Sequence, residues 1–335
     1  MRVLVLFDIG RPPAPSDSFS VSALRREENK QMEADVITSL RNLGHEVETL
    51  AVYDNVRDMF DRISSFAPDV VFNMCETFFL DRAHEPNIPG LLDLMKVRYT
   101  GAGPEALMLC RDKALAKKLL AFHRVRVASG VVSSRSRPLK KLRRFRVPAF
   151  VKPLGEEGSS GISLASFAKN ESEAIERANF IHQRFECDAL IEEYIEGREL
   201  TVGVLGNPRP LAFPPRETFF GRADDDESAP RFATQRAKWD DAYRRKWKIR
   251  NGDADPLPPG VPERLAKTAR MAYRILKIRG VVRLDVRLTE EGEIVVIEVN
   301  PNPSLAKTDD FAMGAARAGL DYDLLIQRIL DNALR

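Results

Sequence analysis

The segment IVVIEVN (294–300) is apolar enough for a buried strand, yet Glu298 stands in its middle and Asn300 follows at the same parity. Upstream, GVVRLDVRL (280–288) alternates in the same way and carries Arg283 and Asp285. LTEEGE supplies a turn with Gly292 between them, so the pair reads as a hairpin. With an even-length loop centred between Glu291 and Gly292, Asp285 faces Glu298 and Arg283 faces Asn300. Side chains two apart share a face, so these four polar groups converge. Val282, Leu284, Val286, Val295, Ile297 and Val299 form the opposite face, whose burial sets the register.

Opposed side chains begin about 4.5–5.5 Å apart at Cβ, and two carboxylates so placed repel unless protonated or bridged by a cation. Hard oxygen donors suit Mg²⁺, which takes one or two carboxylates and leaves its other positions to phosphates and water. Asn300 adds a neutral oxygen where Pro301 and Pro303 end the strand. The alternative is a solvent-facing hairpin of surface ion pairs, which contribute little. Lysines elsewhere weigh against it. Lys152 stands at the end of the strand PAFVKP (148–153), beside the loop GEEGSSG (155–161). Glycines let backbone N–H groups turn toward an anion, and Ser159 and Ser160 add hydroxyls. Lys113, after the candidate N-cap Asp112, gives a second point charge.

The elements that must position these groups follow from hydrophobic periodicity. RVLVLF (2–7), EVETLAV (46–52) and PDVVFNM (68–74) read as strands. Helical spacing from Leu24 to Leu43 and a short helix near 56–65 separate them, which predicts a parallel sheet with right-handed crossovers. This unit has neither a G-x-G-x-x-G nor a G-x-x-x-x-G-K-[ST] fingerprint. From about Gly101 the texture changes: a basic amphipathic helix over 110–122, strands at 148–153 and 162–167, a helix at 170–186, and strands at 188–194 and 198–206. Residues 214–260 are polar, charged and proline-rich, with the acidic cluster Asp224, Asp225, Asp226 and Glu227 and the patch AKWDDAYRRKWK (237–248), and are expected to form a lid or linker.

Composition narrows the class. The 335 residues, 44% hydrophobic and 30% charged, are those of a water-soluble globular chain of two or three domains. No apolar run nears the roughly 18 residues of a membrane helix. Cys75, Cys110 and Cys187 show no CxxC spacing and read as free thiols in the cytoplasm. A net charge of +3 is too small to imply a nucleic-acid partner. The basic run SSRSRPLKKLRRFR (133–146) reads as a solvated helix face with its leading loop rather than as the alternative, a polyanion patch, since its one aromatic, Phe145, gives no interleaved series for stacking.

These residues resemble the ATP-grasp superfamily, within it the D-alanine–D-alanine ligase branch. The likeness runs through YTGAG (99–103), CRDKALAKKLL (110–120), FVKPLGEEGSSGIS (150–163), LIEEYIEGRELTVGVLG (190–206), AKW (237–239), RLDVRL (283–288), IEVNPNPSL (297–305) and AARAGLDYDLLIQRIL (315–330). It implies an α/β and α+β molecule in three parts: an N-terminal parallel-sheet pre-ATP-grasp domain (1–103), then a central ATP-grasp subdomain with the glycine-serine loop (104–206) and a C-terminal one with the lid and hairpin (207–335). ATP would lie between the last two. By similarity Lys113 and Lys152 hold phosphates, and Ser159 and Ser160 lie in the closing loop. Glu192, Tyr194 and Ile195 form the adenine hinge, largely by backbone, and Glu199 takes the ribose hydroxyls. Lys238 sits on the lid over the γ-phosphate. Asp285, Glu298 and Asn300 bind two Mg²⁺, or Mn²⁺, and Arg283 stabilises anionic intermediates. The implied reaction is ATP-dependent ligation of a carboxylate to an amine through an acyl phosphate, on small amino-acid-like substrates, in a branch that is often homodimeric.

The substrate end departs from the branch. Cys75 and Glu76 stand where it shows His-Gly, RPPAPSDSFSVS (11–22) replaces its Glu-x-x-Val-Ser stretch, and Asp309 falls where it has a serine for the acceptor carboxylate. A ligase for another amino acid or peptide pair, a kinase, and an ATP-binding scaffold or regulator therefore stand beside the named activity. The retained quartet weighs against the scaffold, since ATP binding alone does not need it.

Overall fold

A computed structural model describes residues 1–14, 17, 19–27, 29–142, 147–156, 158–206, 209–221 and 232–335. The N-terminal unit runs β1 (Arg2–Asp8), α1 (Val21–Leu24), α2 (Gln31–Asn42), β2 (Glu46–Val52), α3 (Val56–Phe66), β3 (Val70–Asn73) and α4 (Asn87–Leu94). Its strands form a parallel sheet in the order β2-β1-β3, as the alternation of strand and helix predicts. The helical stretch expected from Leu24 onward is broken: α2 starts only at Gln31. Residues 25–27 and 29–31 offer no apolar side chain to bury, and the Lys30 ammonium is drawn to the Asp8 carbonyl and Glu33.

Next come α5 (Pro104–Arg111), α6 (Lys113–Phe122), β4 (Gly130–Ser133), β5 (Ala149–Pro153), β6 (Phe167–Ala168), α7 (Glu171–Arg184) and β7 (Ala189–Glu193). The strands make an antiparallel sheet, β4-β7-β5-β6, backed by α7. Asp112 caps α6 by accepting from the Leu115 N–H at 2.9 Å. The strand expected at 162–167 shrinks to the two residues of β6. A 3₁₀ turn over Leu164–Ser166, closed by reciprocal Ser163 and Ser166 bonds, takes its place. The basic run holds no helix in its described part. Its backbone turns at Ser134–Arg137 and pins Leu139 and Leu142 on the core through the Ser133 hydroxyl and Glu171 carboxylate. Arg143, Arg144 and Arg146 lie outside the described residues.

The last third contains β8 (Arg198–Leu205), β9 (Leu211–Ala212), β10 (Arg216–Phe219), α8 (Gln235–Trp239), α9 (Asp241–Lys246), β11 (Arg250–Asp253), α10 (Val261–Ile275), β12 (Val281–Leu288), β13 (Ile294–Asn300), α11 (Asp310–Arg317) and α12 (Tyr322–Leu334). Its main path is β11-β10-β8-β12-β13, with β9 on β8. The segment expected to form a lid or linker carries four short elements, while its acidic cluster, 224–227, lies outside the described residues. Cores do not respect chain order. Residues 102–127 pack on β8, β12 and α10, and α11 and α12 pack on the N-terminal sheet. Among the described residues no helix is long and apolar enough to cross a membrane, and the three cysteines form no disulfide.

Candidate active site

The hairpin carries the site. Arg283 pairs with Asn300 and Asp285 with Glu298, and then the register slips, so that Val286 meets Val296. The turn is a five-residue one over 289–293, with Thr289 N–H donating to Glu293 and Gly292 at φ +77°. An odd loop displaces the ladder by one residue, and a bulge at Ile297 restores it. Two expectations therefore fail: the loop is not even, and Ile297 and Val295 leave the face of Leu284 and Val286, although Val295 is fully buried on the Arg287 side. Val296 takes that place in the core, and Ile297 lines a cleft. The bulge preserves the opposition of the two carboxylates.

That cleft lies over the polar face of the hairpin. Its lining has two characters. Phe150, Tyr194, Ile195, Phe232, Val286 and Ile297 supply its apolar lining, with the Phe150 and Phe232 rings edge to face at 4.9 Å. Lys152, Lys238, Asp285 and Glu298 supply its charged lining, with the Lys152 ammonium 6.0 Å from the Phe150 ring. A planar apolar group joined to a polyanion matches this division.

Asp285 and Glu298 face the same cleft as Lys152. Glu298 is held by the Lys113 ammonium at 3.2 Å. Burial alone would raise its pKa, yet Lys113, Lys152, Lys238 and Arg283 together push it down to about 2, so it is a carboxylate at neutral pH. Arg283 shares that face of the hairpin and holds Asp285 with both arms of its fork, at 2.8 and 2.9 Å. Burial opposes its charge, but Asp285, Glu298 and Asp310 hold its pKa above the ordinary arginine value. The Asn300 amide oxygen, opposite Arg283, accepts from the Asn302 N–H at 2.8 Å. Among the described residues no three His, Cys, Asp or Glu side chains cluster as a metal cage. Two carboxylates with an amide nevertheless fit Mg²⁺, which completes its shell with phosphates and water.

Glu192 has its carboxylate fully buried and bridges Lys152 at 2.7 Å and Lys117 in still closer contact. Tyr194 gives its N–H to the Pro148 carbonyl, which anchors the strand end before Ile195. Glu199 accepts from Arg287 at 2.7 Å, and the other arm of Arg287 reaches the Gly197 carbonyl. The glycine-serine loop turns through positive φ at Gly158, Ser159 and Gly161. A Cβ on Gly161 would lie 2.7 Å from Pro153 and 3.0 Å from Phe185, so only glycine fits there. Three bonds tie this loop to the lid: Ser159 hydroxyl to the Ala233 carbonyl, Gln235 N–H to Ile162, and the Trp239 indole to Gly158. They set Lys238 over the cleft.

Nine of the thirteen residues singled out in the sequence line one cleft: Lys152, Ser159, Glu192, Tyr194, Ile195, Glu199, Lys238, Asp285 and Glu298. Lys113 reaches it through Glu298, and Arg283 and Asn300 sit at its edge on the hairpin. Ser160 is half-buried in the loop and does not line it. Sequence reasoning passed over Lys117 and gave no role to Arg287. Lys117 lies four residues after Lys113 and so shares its helix face, and Arg287 shares the parity of Asp285; both spacings were visible.

The D-ala D-ala ligase C-terminus family model matches residues 118–331. A D-alanine–D-alanine ligase of Rhizorhabdus wittichii is 30% identical over 302 residues, spanning 89% of each chain. One of Granulibacter bethesdensis is 30% identical over 309 residues, spanning 89% of this chain and 90% of its own. The crystal structure of a D-alanine–D-alanine ligase from Bacillus anthracis complexed with ATP superposes with a TM-score of 0.74, over 100% of this chain and 98% of that one. At 18% identity this likeness shows the fold.

Proposed function

The chain belongs to the D-alanine–D-alanine ligase family, and from that premise we propose that it is an ATP-dependent carboxylate–amine ligase. The observation that carries this reading is the meeting of Asp285 and Glu298 with Lys152 and Lys238 in one cleft that also has an aromatic lining. In the proposed arrangement the base lies against Phe150, Tyr194 and Phe232 by the 192–195 hinge, with Glu199 on the ribose. Lys113, Lys152, Ser159, Ser160 and Lys238 surround the phosphates. Two Mg²⁺, or Mn²⁺, held by Asp285, Glu298 and Asn300, would neutralise charge on those phosphates.

A substrate carboxylate attacks the γ-phosphorus, ADP leaves, and an acyl phosphate forms. A neutral amine attacks its carbonyl through a tetrahedral oxyanion and expels phosphate, leaving an amide. Arg283, fixed by Asp285, is placed to stabilise the negative charge that develops. The lid and glycine-serine loop keep water from the acyl phosphate. The three-part division at 1–103, 104–206 and 207–335 stays a proposal, with β8 lent to the C-terminal sheet. Cytoplasmic location is proposed from three cysteines that form no disulfide. A homodimer is proposed from the exposed Phe60, Phe79, Leu80, Leu94 and Met108 of the N-terminal half.

A different amino-acid or peptide pair is the second reading. Asp309, exposed at the start of α11, repels an acceptor carboxylate, while Lys307 stacks on Tyr322 at 4.9 Å. The Glu76 carboxylate is held by Arg82 at 2.5 Å. Incubation with ATP, Mg²⁺ and a panel of D- and L-amino acids, followed by phosphate release and amide masses, separates the readings. Turnover with D-alanine alone supports the named activity, and turnover only with other pairs supports the second. No ATP binding sinks both.

The lid makes a smaller prediction. Trp239→Phe removes the indole donor to Gly158, a bond of about 1 kcal/mol. ATP affinity is expected to weaken about 5-fold, with the melting temperature unchanged. A calorimetric titration checks it, and equal affinity would mean the loop closes without the lid.

A further inference from the structure

Lys117 has no role in the scheme above, yet it is buried in contact with a residue of the cleft. It projects from the same face of α6 as Lys113, one turn on. Its ammonium meets one oxygen of Glu192 while Lys152 holds the other at 2.7 Å. All three side chains are at least nine-tenths buried. Lys152 and Glu192 line the cleft, and Lys117 does not. The three groups carry a net single positive charge, with two ammoniums competing for one carboxylate.

A phosphate entering the cleft can draw Lys152 off Glu192. With Lys152 as its sole partner, Glu192 would then be left an unpaired charge in the interior, which typically costs several kcal/mol. Lys117 cannot follow the phosphate, because its place is behind Glu192. We propose that Lys117 is a positioning residue, the resident counter-ion that keeps Glu192 neutralised when Lys152 turns to a nucleotide phosphate. This rests on the reading of Lys152 as a phosphate-holding residue. Burial lowers the Lys117 pKa, against the pull of Glu192 and with the repulsion of Lys152, consistent with two cations crowding one acid.

The test is calorimetric titration of the full chain with Mg²⁺-ATP, in the wild type, Lys117→Met, Lys117→Arg and the double variant Lys117→Met/Glu192→Gln. Lys117→Met is expected to weaken ATP binding by about 10- to 100-fold, the effect of an uncompensated buried carboxylate. Lys117→Arg keeps the charge and stays within about 3-fold of wild type. The double variant regains most of the loss, because a neutral amide needs no counter-ion. A merely structural lysine predicts that the double variant is as weak as the single one, and that result overturns the proposal. So does wild-type affinity in a folded Lys117→Met. Should Lys117→Met fail to fold, Lys117→Gln in both backgrounds gives the same comparison. A wild type that does not bind ATP defeats the ligase reading instead, and is seen before any variant is made.

Discussion

Glu298→Gln is expected to lower turnover by at least about 10³-fold while the melting temperature moves by no more than about 5 °C. The substitution keeps the shape of the side chain and one oxygen acceptor for Lys113, so the hairpin retains its register and packing. It removes a negative charge where Lys113, Lys152, Lys238 and Arg283 converge, and with it a hard donor for the proposed metal. Acid denaturation of the metal-free protein supplies a second readout. Glu298 titrates at about 2 in the folded chain and near 4.3 unfolded, so its share of stability is complete above the latter and lost as pH falls toward the former. The wild-type advantage over Glu298→Gln should shrink by up to roughly 3 kcal/mol across that window. Parallel loss of turnover and stability would make Glu298 a structural ion-pair partner.

The hairpin was legible because side-chain period two and one buried face leave little freedom. Once Val282, Leu284 and Val286 must face the core, Arg283 and Asp285 must face away. The Ile297 bulge was not legible, since loop parity depends on backbone geometry in TEEGE rather than on pattern. It shifted only the turn-proximal half of the ladder, so the site survived the error. Lys113, Lys152 and the loop at 155–161 could be singled out because each sits at the terminus of an element, which local signals mark. Glu192 was placed on the right strand, but its carboxylate's two lysine partners were not foreseen, because one of them comes from 75 residues upstream. Nor does periodicity say which sheet a helix covers, and α5 and α6 crossed to the C-terminal one.

The contact between the two halves of the catalytic proposal is Arg283. Its fork is locked on Asp285, so guanidinium and carboxylate orient one another at the strand edge that Glu298 and Asn300 also face. It does not line the cleft that would hold the nucleotide, whose cationic lining is Lys152 and Lys238. A group so placed contributes little to ground-state nucleotide binding and much to charge that appears later, in the phosphoryl transfer and the tetrahedral oxyanion. Arg283→Lys keeps one positive charge and loses the planar fork, so it cannot hold both oxygens of Asp285. Turnover is expected to fall about 10²-fold, with the ATP dissociation constant within about 3-fold of wild type. Steady-state kinetics beside calorimetric titration measures both. A dissociation constant that rises in step with the lost turnover would move Arg283 from the transition state to the bound phosphates, and Asp285 with it, because the two side chains act as one unit.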